Sequence, residues 1–227
     1  MNFSPVWILS VSLLFVGFLG IIFTAAFFTK PIDEDKFSFM RHFPFEANKF
    51  SFNGRYFELS TYLFSIMCFS PLFVYQDVSY EIAFLNETSI FISCAMGLAA
   101  VAFIFLVIFD ATHSKAHTYL FGIFAVLTFF SSILIFVRGV TAYSNYLNFG
   151  RKEPLFIVCE VLSALITIFI LLVAFNPKLS SWAKLEKSAN ESNEYVRPKK
   201  FALAYSEWAI LLALMLNELT FFIELLI

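Results

Sequence analysis

Six stretches of this chain run apolar for about the length of a membrane crossing, and that fact constrains its fold more than any motif. A helix rises about 1.5 Å per residue, so about 20 apolar residues cover the roughly 30 Å hydrocarbon core of a bilayer. The first run, Val6 to Phe28, contains no charged side chain. It is too long for the core of a signal peptide and no Lys or Arg precedes it, so it reads as a retained span. The pattern predicts spans over about 6–28, 59–76, 88–109, 118–137, 154–175 and 201–226. This is an all-α, polytopic six-transmembrane-helix bundle, with residues 1–227 forming a single domain. Composition agrees: 60% of residues are hydrophobic, 14% are charged and the mean hydropathy is +0.81. An even number of spans puts both termini on one side, and loops 30–57 and 176–200 together on the other.

The last run, FALAYSEWAILLALMLNELTFFIELLI, carries three glutamates. Carboxylates inside a span are costly unless they face protein, water or the interface. Glu207 and Glu218 are eleven residues apart, and at about 100° per residue they return to within about 20° of one face. Leu203, Ala204, Leu211 and Leu214 lie near that face. Two readings stand. Either both carboxylates turn into the bundle, or Glu207 and Glu224 sit at the two interfaces in water. Glu224 points away from the other two, so Glu224→Leu is expected to be silent and Glu207→Leu harmful. Glu160 lies about 10 Å inside the fifth span, where it can hydrogen-bond across helices or line a wet crevice.

Between the spans, loop 30–57 brings three Phe-x-Phe pairs: Phe37/Phe39, Phe43/Phe45 and Phe50/Phe52. Residues two apart in an extended chain share a face, so the loop is expected to be an ordered cap with its Phe residues largely buried; the alternative is a mobile loop open to a partner. Asn53-Gly54 is a turn signal. Pro71 would kink the second span. The linker 77–87 is acidic, and Ser93, Ala95, Gly97 and Ala99 give the third span a small-residue contact stripe. Asp110, His113 and His117 stand close together, and two histidines four apart suit one helix face. No Cys or third strong ligand joins them, so a solvated turn is expected and no metal. Residues 138–153 read as a polar linker, and Pro154 suits a helix start. Cys68, Cys94 and Cys159 all lie in apolar runs and read as packing residues. No nucleotide-binding glycine motif appears, no cofactor is expected, and a net charge of −2 offers no footprint for nucleic acid.

Lys and Arg are skewed between the two sides. The first, third and fifth loops hold Lys30, Lys36, Arg41, Lys49, Arg55, Lys115, Lys178, Lys184, Lys187, Arg197, Lys199 and Lys200, whereas the even loops hold Arg138, Arg151 and Lys152. Taken alone, the positive-inside rule puts the odd loops in the cytosol. Asn190-Glu-Ser192 is a glycosylation acceptor well clear of the flanking spans, while Asn86-Glu-Thr88 abuts the third span.

Several residues of the final third form a pattern: Trp182, Glu194-Tyr195, Ala204-Tyr205-Ser206-Glu207-Trp208 and Leu219-Thr220-Phe221. With the span count and the long first loop, this resembles the damage-regulated autophagy modulator (DRAM) family, within a wider six-span group that includes the Frag and Sfk proteins and a Golgi factor of GPI-anchor lipid remodelling. The first loop lacks the Ile-Ser-Asp-x-Gly stretch of that family, and the second loop is acidic where the autophagy members are basic. The resemblance implies cytosolic termini and a luminal Asn190, opposite to the charge rule. It implies a non-enzymatic endomembrane protein, lysosomal or Golgi with the plasma membrane as the alternative. Such a protein acts through membrane lipids or through protein partners on loops 30–57 and 176–200. The alternatives are a lipid-handling factor in GPI-anchor remodelling or plasma-membrane lipid organisation, and an ion or proton pathway through Glu160, Glu207 and Glu218. Were the chain an enzyme, Glu160, Glu207, His113 and His117 would be its acid/base groups.

Overall fold

The computed structural model describes residues 5–32, 36–72, 83–109, 114–148, 154–174, 186–187, 195–196 and 201–225. Among them the chain forms seven helices: α1 (Pro5–Phe27), α2 (Pro44–Phe50), α3 (Gly54–Met67), α4 (Ala83–Ile108), α5 (Ser114–Asn148), α6 (Pro154–Ala174) and α7 (Ala202–Glu224). Two short strands, β1 (Glu186–Lys187) and β2 (Tyr195–Val196), pair antiparallel. Five helices contain segments long and apolar enough to cross a membrane: Pro5–Phe27, Glu87–Ile108, Ala116–Asn145, Pro154–Ala174 and Ala202–Glu224. In hydrocarbon no water satisfies backbone N–H and C=O groups, so apolar segments of this length close all their hydrogen bonds internally as helices. The chain is thus a helical membrane protein.

The predicted span 59–76 is not seen as one helix. α3 starts earlier, at Gly54, and ends at Met67. Its 14 residues reach about 21 Å, short of a full crossing. The helix stops where the Ser70 hydroxyl donates to the Met67 carbonyl, just ahead of Pro71, a residue that disfavours helical geometry before it. Residues 73–82 lie outside the described residues. Within the Asn53-Gly54 turn signal, Asn53 is the N-cap of α3, its side chain accepting from the Arg55 N–H at 3.2 Å. The third span begins in the expected acidic linker, at Ala83. The fourth runs on through the expected linker to Asn148. There Thr141, Ser144 and Asn145 return hydrogen bonds to carbonyls of the preceding turn, so polar side chains are accommodated without ending the helix.

Contacts fix the direction of each helix. Gly17 of α1 meets the backbone of Phe64 and Gly20 meets Ser60, so α3 runs antiparallel to α1. The Ser65 hydroxyl reaches the Ala100 carbonyl and Phe69 packs on Gly97, which reverses the direction again into α4. α5 returns, with Phe103 against Phe124 and Ser89 against Arg138. α6 reverses, with Ser163 and Thr167 against Ser132. α7 then lies parallel to α5: His117 meets Glu207, Thr128 meets Asn217 and Arg138 meets Glu224. The end of the bundle where α1 begins is here called the floor, since Trp7 donates to the Phe222 carbonyl there. The opposite end, where α5 and α7 begin, is the mouth.

The stretch between α1 and α3 caps the mouth. Thr29 pairs with Ser51 as a β-bridge, and Phe201 N–H donates to the Met40 carbonyl at 2.7 Å. Phe37 and Phe39 pack edge-on against Trp208, and Phe43 packs on His117 and Phe201. The described part of the cap packs on the bundle, and its first Phe-x-Phe pair shares a face, Phe37 and Phe39 both meeting Trp208, but the later pairs depart from that pattern. Pro44 opens a helix inside the second pair, and in the third Phe50 is buried while Phe52 is 69% exposed.

Candidate functional site

α7 is the helix that touches most of the other elements. It packs on α6 and α5 most extensively and also meets α1, α2 and α4. Its three glutamates are all buried. Each sits at a different depth, and each meets a different neighbour.

At the mouth, Glu207 Oε1 lies 2.7 Å from His117 Nε2, and His117 Nδ1 lies 3.0 Å from the Phe109 carbonyl. A carbonyl only accepts, so Nδ1 carries a hydrogen. One further proton then lies between Nε2 and Oε1, making the pair either imidazolium–carboxylate or imidazole–carboxylic acid. Phe43 covers His117, and Glu46 of α2 lies close enough to act on both partners electrostatically. Next to Glu207, the Trp208 indole N–H donates to the His42 carbonyl at 3.0 Å, tying the cap to α7. The Glu-Trp pair therefore joins α5, α7 and the cap. Asp110 and His113 lie outside the described residues, and no group of three metal-ligating side chains occurs among the described ones.

Midway down, the Asn217 amide donates to the Thr128 carbonyl at 3.0 Å and to Ser131 Oγ at 3.2 Å, a polar clasp between α7 and α5. Glu218 is 0% exposed and neither of its oxygens meets a hydrogen-bond partner among the described residues. The Cys68 thiol, at the C-terminal end of α3, lies beside it without closing a well-formed hydrogen bond.

At the floor, Arg138 is the finding that overturns the expected linker. It is 1% exposed and donates from Nη1 to Glu224 Oε2 at 3.0 Å and from Nε to Ser89 Oγ at 3.0 Å. Its guanidinium also stands 5.5 Å from the centroid of the Phe221 ring. Glu224, expected to be solvated and dispensable, is 0% exposed and belongs to this ion pair. Half-buried Glu160 approaches from α6: a methyl group added at Gly139 would stand 3.2 Å from its Cγ and 2.9 Å from Glu224 Oε1. The absent side chain at Gly139 is what lets the two carboxylates converge on α5.

The remaining motif residues serve packing. Thr220 donates to the Leu216 carbonyl at 2.9 Å, Phe221 stacks under Arg138, and Leu219 is half-buried against the core. Asn190 and Trp182 lie outside the described residues. The sequence carries one signal for the floor pair: a lone Arg within SSILIFVRGVTAY, an apolar run in which a cation needs a buried anion.

Comparison with known protein families, curated proteins and solved structures returned no match.

Proposed function

We propose that this is a six-span, non-enzymatic endomembrane protein that acts through membrane lipids and protein partners, as the resemblance to the autophagy modulators implies. A sixth crossing is supported by parity. α1 ends at the mouth, α4 begins at the floor, and α3 runs from mouth toward floor between them. The non-enzymatic reading rests on where the acid/base candidates lie. Glu207 and His117 are spent on each other at the mouth, and Glu160 sits at the floor beside Gly139. His117 and Gly139 are 22 positions apart on α5, about 33 Å along the helix, so these groups do not assemble one reaction centre.

The observation that carries the reading is the design of α7. Its polar groups face inward onto neighbours, whereas α1 and α6 present Leu, Ile, Val and Phe to the outside. Such a surface suits lipid and helix-on-helix association. With Arg138 inside the bundle, the even loops keep only Arg151 and Lys152, so the charge skew against cytosolic termini deepens.

The test is localisation of a tagged chain with an intact Asn190 sequon in animal cells. Lysosomal signal with a glycosidase-sensitive shift is the expected result. Golgi signal with altered surface levels of GPI-anchored proteins would replace this reading with lipid remodelling. An unshifted band would reverse the orientation.

A further inference from the structure

The three buried carboxylates of α7 suggest a continuous relay, but the packing between the first two is apolar. Between His117 and Thr128 on α5 stands Phe124, against Phe103 of α4; between Glu207 and Asn217 on α7 stand Leu211 and Leu214. All four belong to one buried apolar cluster. Glu207 and Glu218 are eleven residues apart, about 16 Å along the helix, and this seal fills the interval. Glu207 is held by His117 and Glu224 by Arg138. Glu218 differs from both.

We propose that Glu218 is a reversible proton-binding site, and that its occupancy controls how the C-terminal end of α3 packs on α7. Solvation decides which form fits the closed packing. A fully buried carboxylate with no cation and only a weak thiol donor beside it costs several kcal/mol, whereas the neutral acid costs far less. The titratable group facing Glu218 from α3 is Cys68, a weak donor. From α5, Asn217's partners Thr128 and Ser131 stand at this level, neither of them charged. The charged groups of α5 and α6, Arg138 and Glu160, gather around Glu224, six residues further along α7, or about 9 Å. No charge of either sign therefore compensates an ionised Glu218 among the described residues. The closed packing accommodates the protonated carboxyl, and loss of the proton calls for water at Glu218.

The side that yields is α3. Its helix ends at Met67, and a three-residue turn over 68–70 interrupts the backbone before helical geometry resumes at Pro71. α7, by contrast, is clasped to α5 at three depths. Deprotonation of Glu218 therefore moves the Cys68 turn away and wets the gap, while the α5–α7 pair stays closed.

Dicyclohexylcarbodiimide, which adds to protonated carboxyls in apolar surroundings, tests this on the full chain in detergent micelles. The expected result is an adduct on Glu218 by mass spectrometry, falling about tenfold per pH unit above the titration midpoint. Glu218→Gln, the neutral isostere, should fold and lose the adduct. In the same samples a small maleimide should label Cys68 increasingly as the pH rises. In Glu218→Gln that rise should shrink to the thiolate's own pH dependence, for which exposed Cys94 is the internal reference. Absence of a Glu218 adduct, an adduct indifferent to pH, or an unchanged Cys68 profile in Glu218→Gln would each overturn the proposal.

Discussion

Removing Arg138 should damage this protein more than removing its partner, and removing both should restore most of what either loses. At 3.0 Å and an effective dielectric of about 20, two unit charges attract by about 5.5 kcal/mol. Deleting one member of a buried pair typically costs about 3–5 kcal/mol, because the survivor is left without compensation. The two deletions are not equivalent here. Glu224→Leu leaves the guanidinium with Ser89, the Phe221 ring and nearby Glu160, so the low end, about 3 kcal/mol, is expected. Arg138→Met leaves Glu224 facing Glu160 with no other cation between them among the described residues, and about 5 kcal/mol is expected. The double variant trades the pair for apolar side chains and should come within about 1–2 kcal/mol of the parent. Reversible unfolding in mixed micelles, followed by tryptophan fluorescence, measures the cycle. A coupling energy near zero, or a Glu224→Leu variant as stable as the parent, would refute the account of the floor.

Glu207→Leu should cost about 1–3 kcal/mol by stranding the His117 Nε2 group, with Glu207→Gln recovering part of it, in the same unfolding assay. Gly17→Ala should destabilise by about 1–3 kcal/mol, since the new methyl would land 2.6 Å from the Phe64 backbone nitrogen and force α1 from α3. Gly122→Ala, which meets nothing within 4 Å, should be neutral or stabilising by up to about 1 kcal/mol. Trp208→Phe removes the hydrogen bond to the His42 carbonyl. Trypsin should then cut sooner at Arg41 and Lys49 with helices α4 to α6 intact on the gel, and unchanged cutting would mean that the cap is held by its phenylalanines alone.

Hydropathy is a sum over many residues, so the spans of α1, α4, α6 and α7 were legible from the sequence to within a few positions. What it misjudged were single charges. Arg138 looked like the edge of a loop because a local window cannot see the anion 86 residues away that neutralises it. Glu224 looked solvated for the same reason. Helical spacing placed Glu207 and Glu218 on related faces, but not the partners those faces meet, which depend on how α5 lies beside α7. The cap shows the opposite limit. The abundance of Phe in 30–57 signalled burial, yet the period-two reading failed where Pro44 began a helix that rotates Phe50 inward and leaves Phe52 out.

The parallel pairing of α5 with α7 also sets an order of assembly. α5 leaves the ribosome well before α7, so it must enter the bilayer with Arg138 still lacking Glu224 and His117 lacking Glu207. Even at the centre of an inserting helix an arginine costs about 2.5–3.5 kcal/mol, which about six leucine-like residues offset, and Arg138 lies nearer the floor end, so α5 can insert alone. It does so as a half-finished structure whose arginine has Ser89 of α4 beside it but not its carboxylate until the last helix arrives. Any lesion that delays or misplaces α7 prolongs that state. Membrane quality control would then recognise a fault in the final helix through a residue that lies two helices upstream.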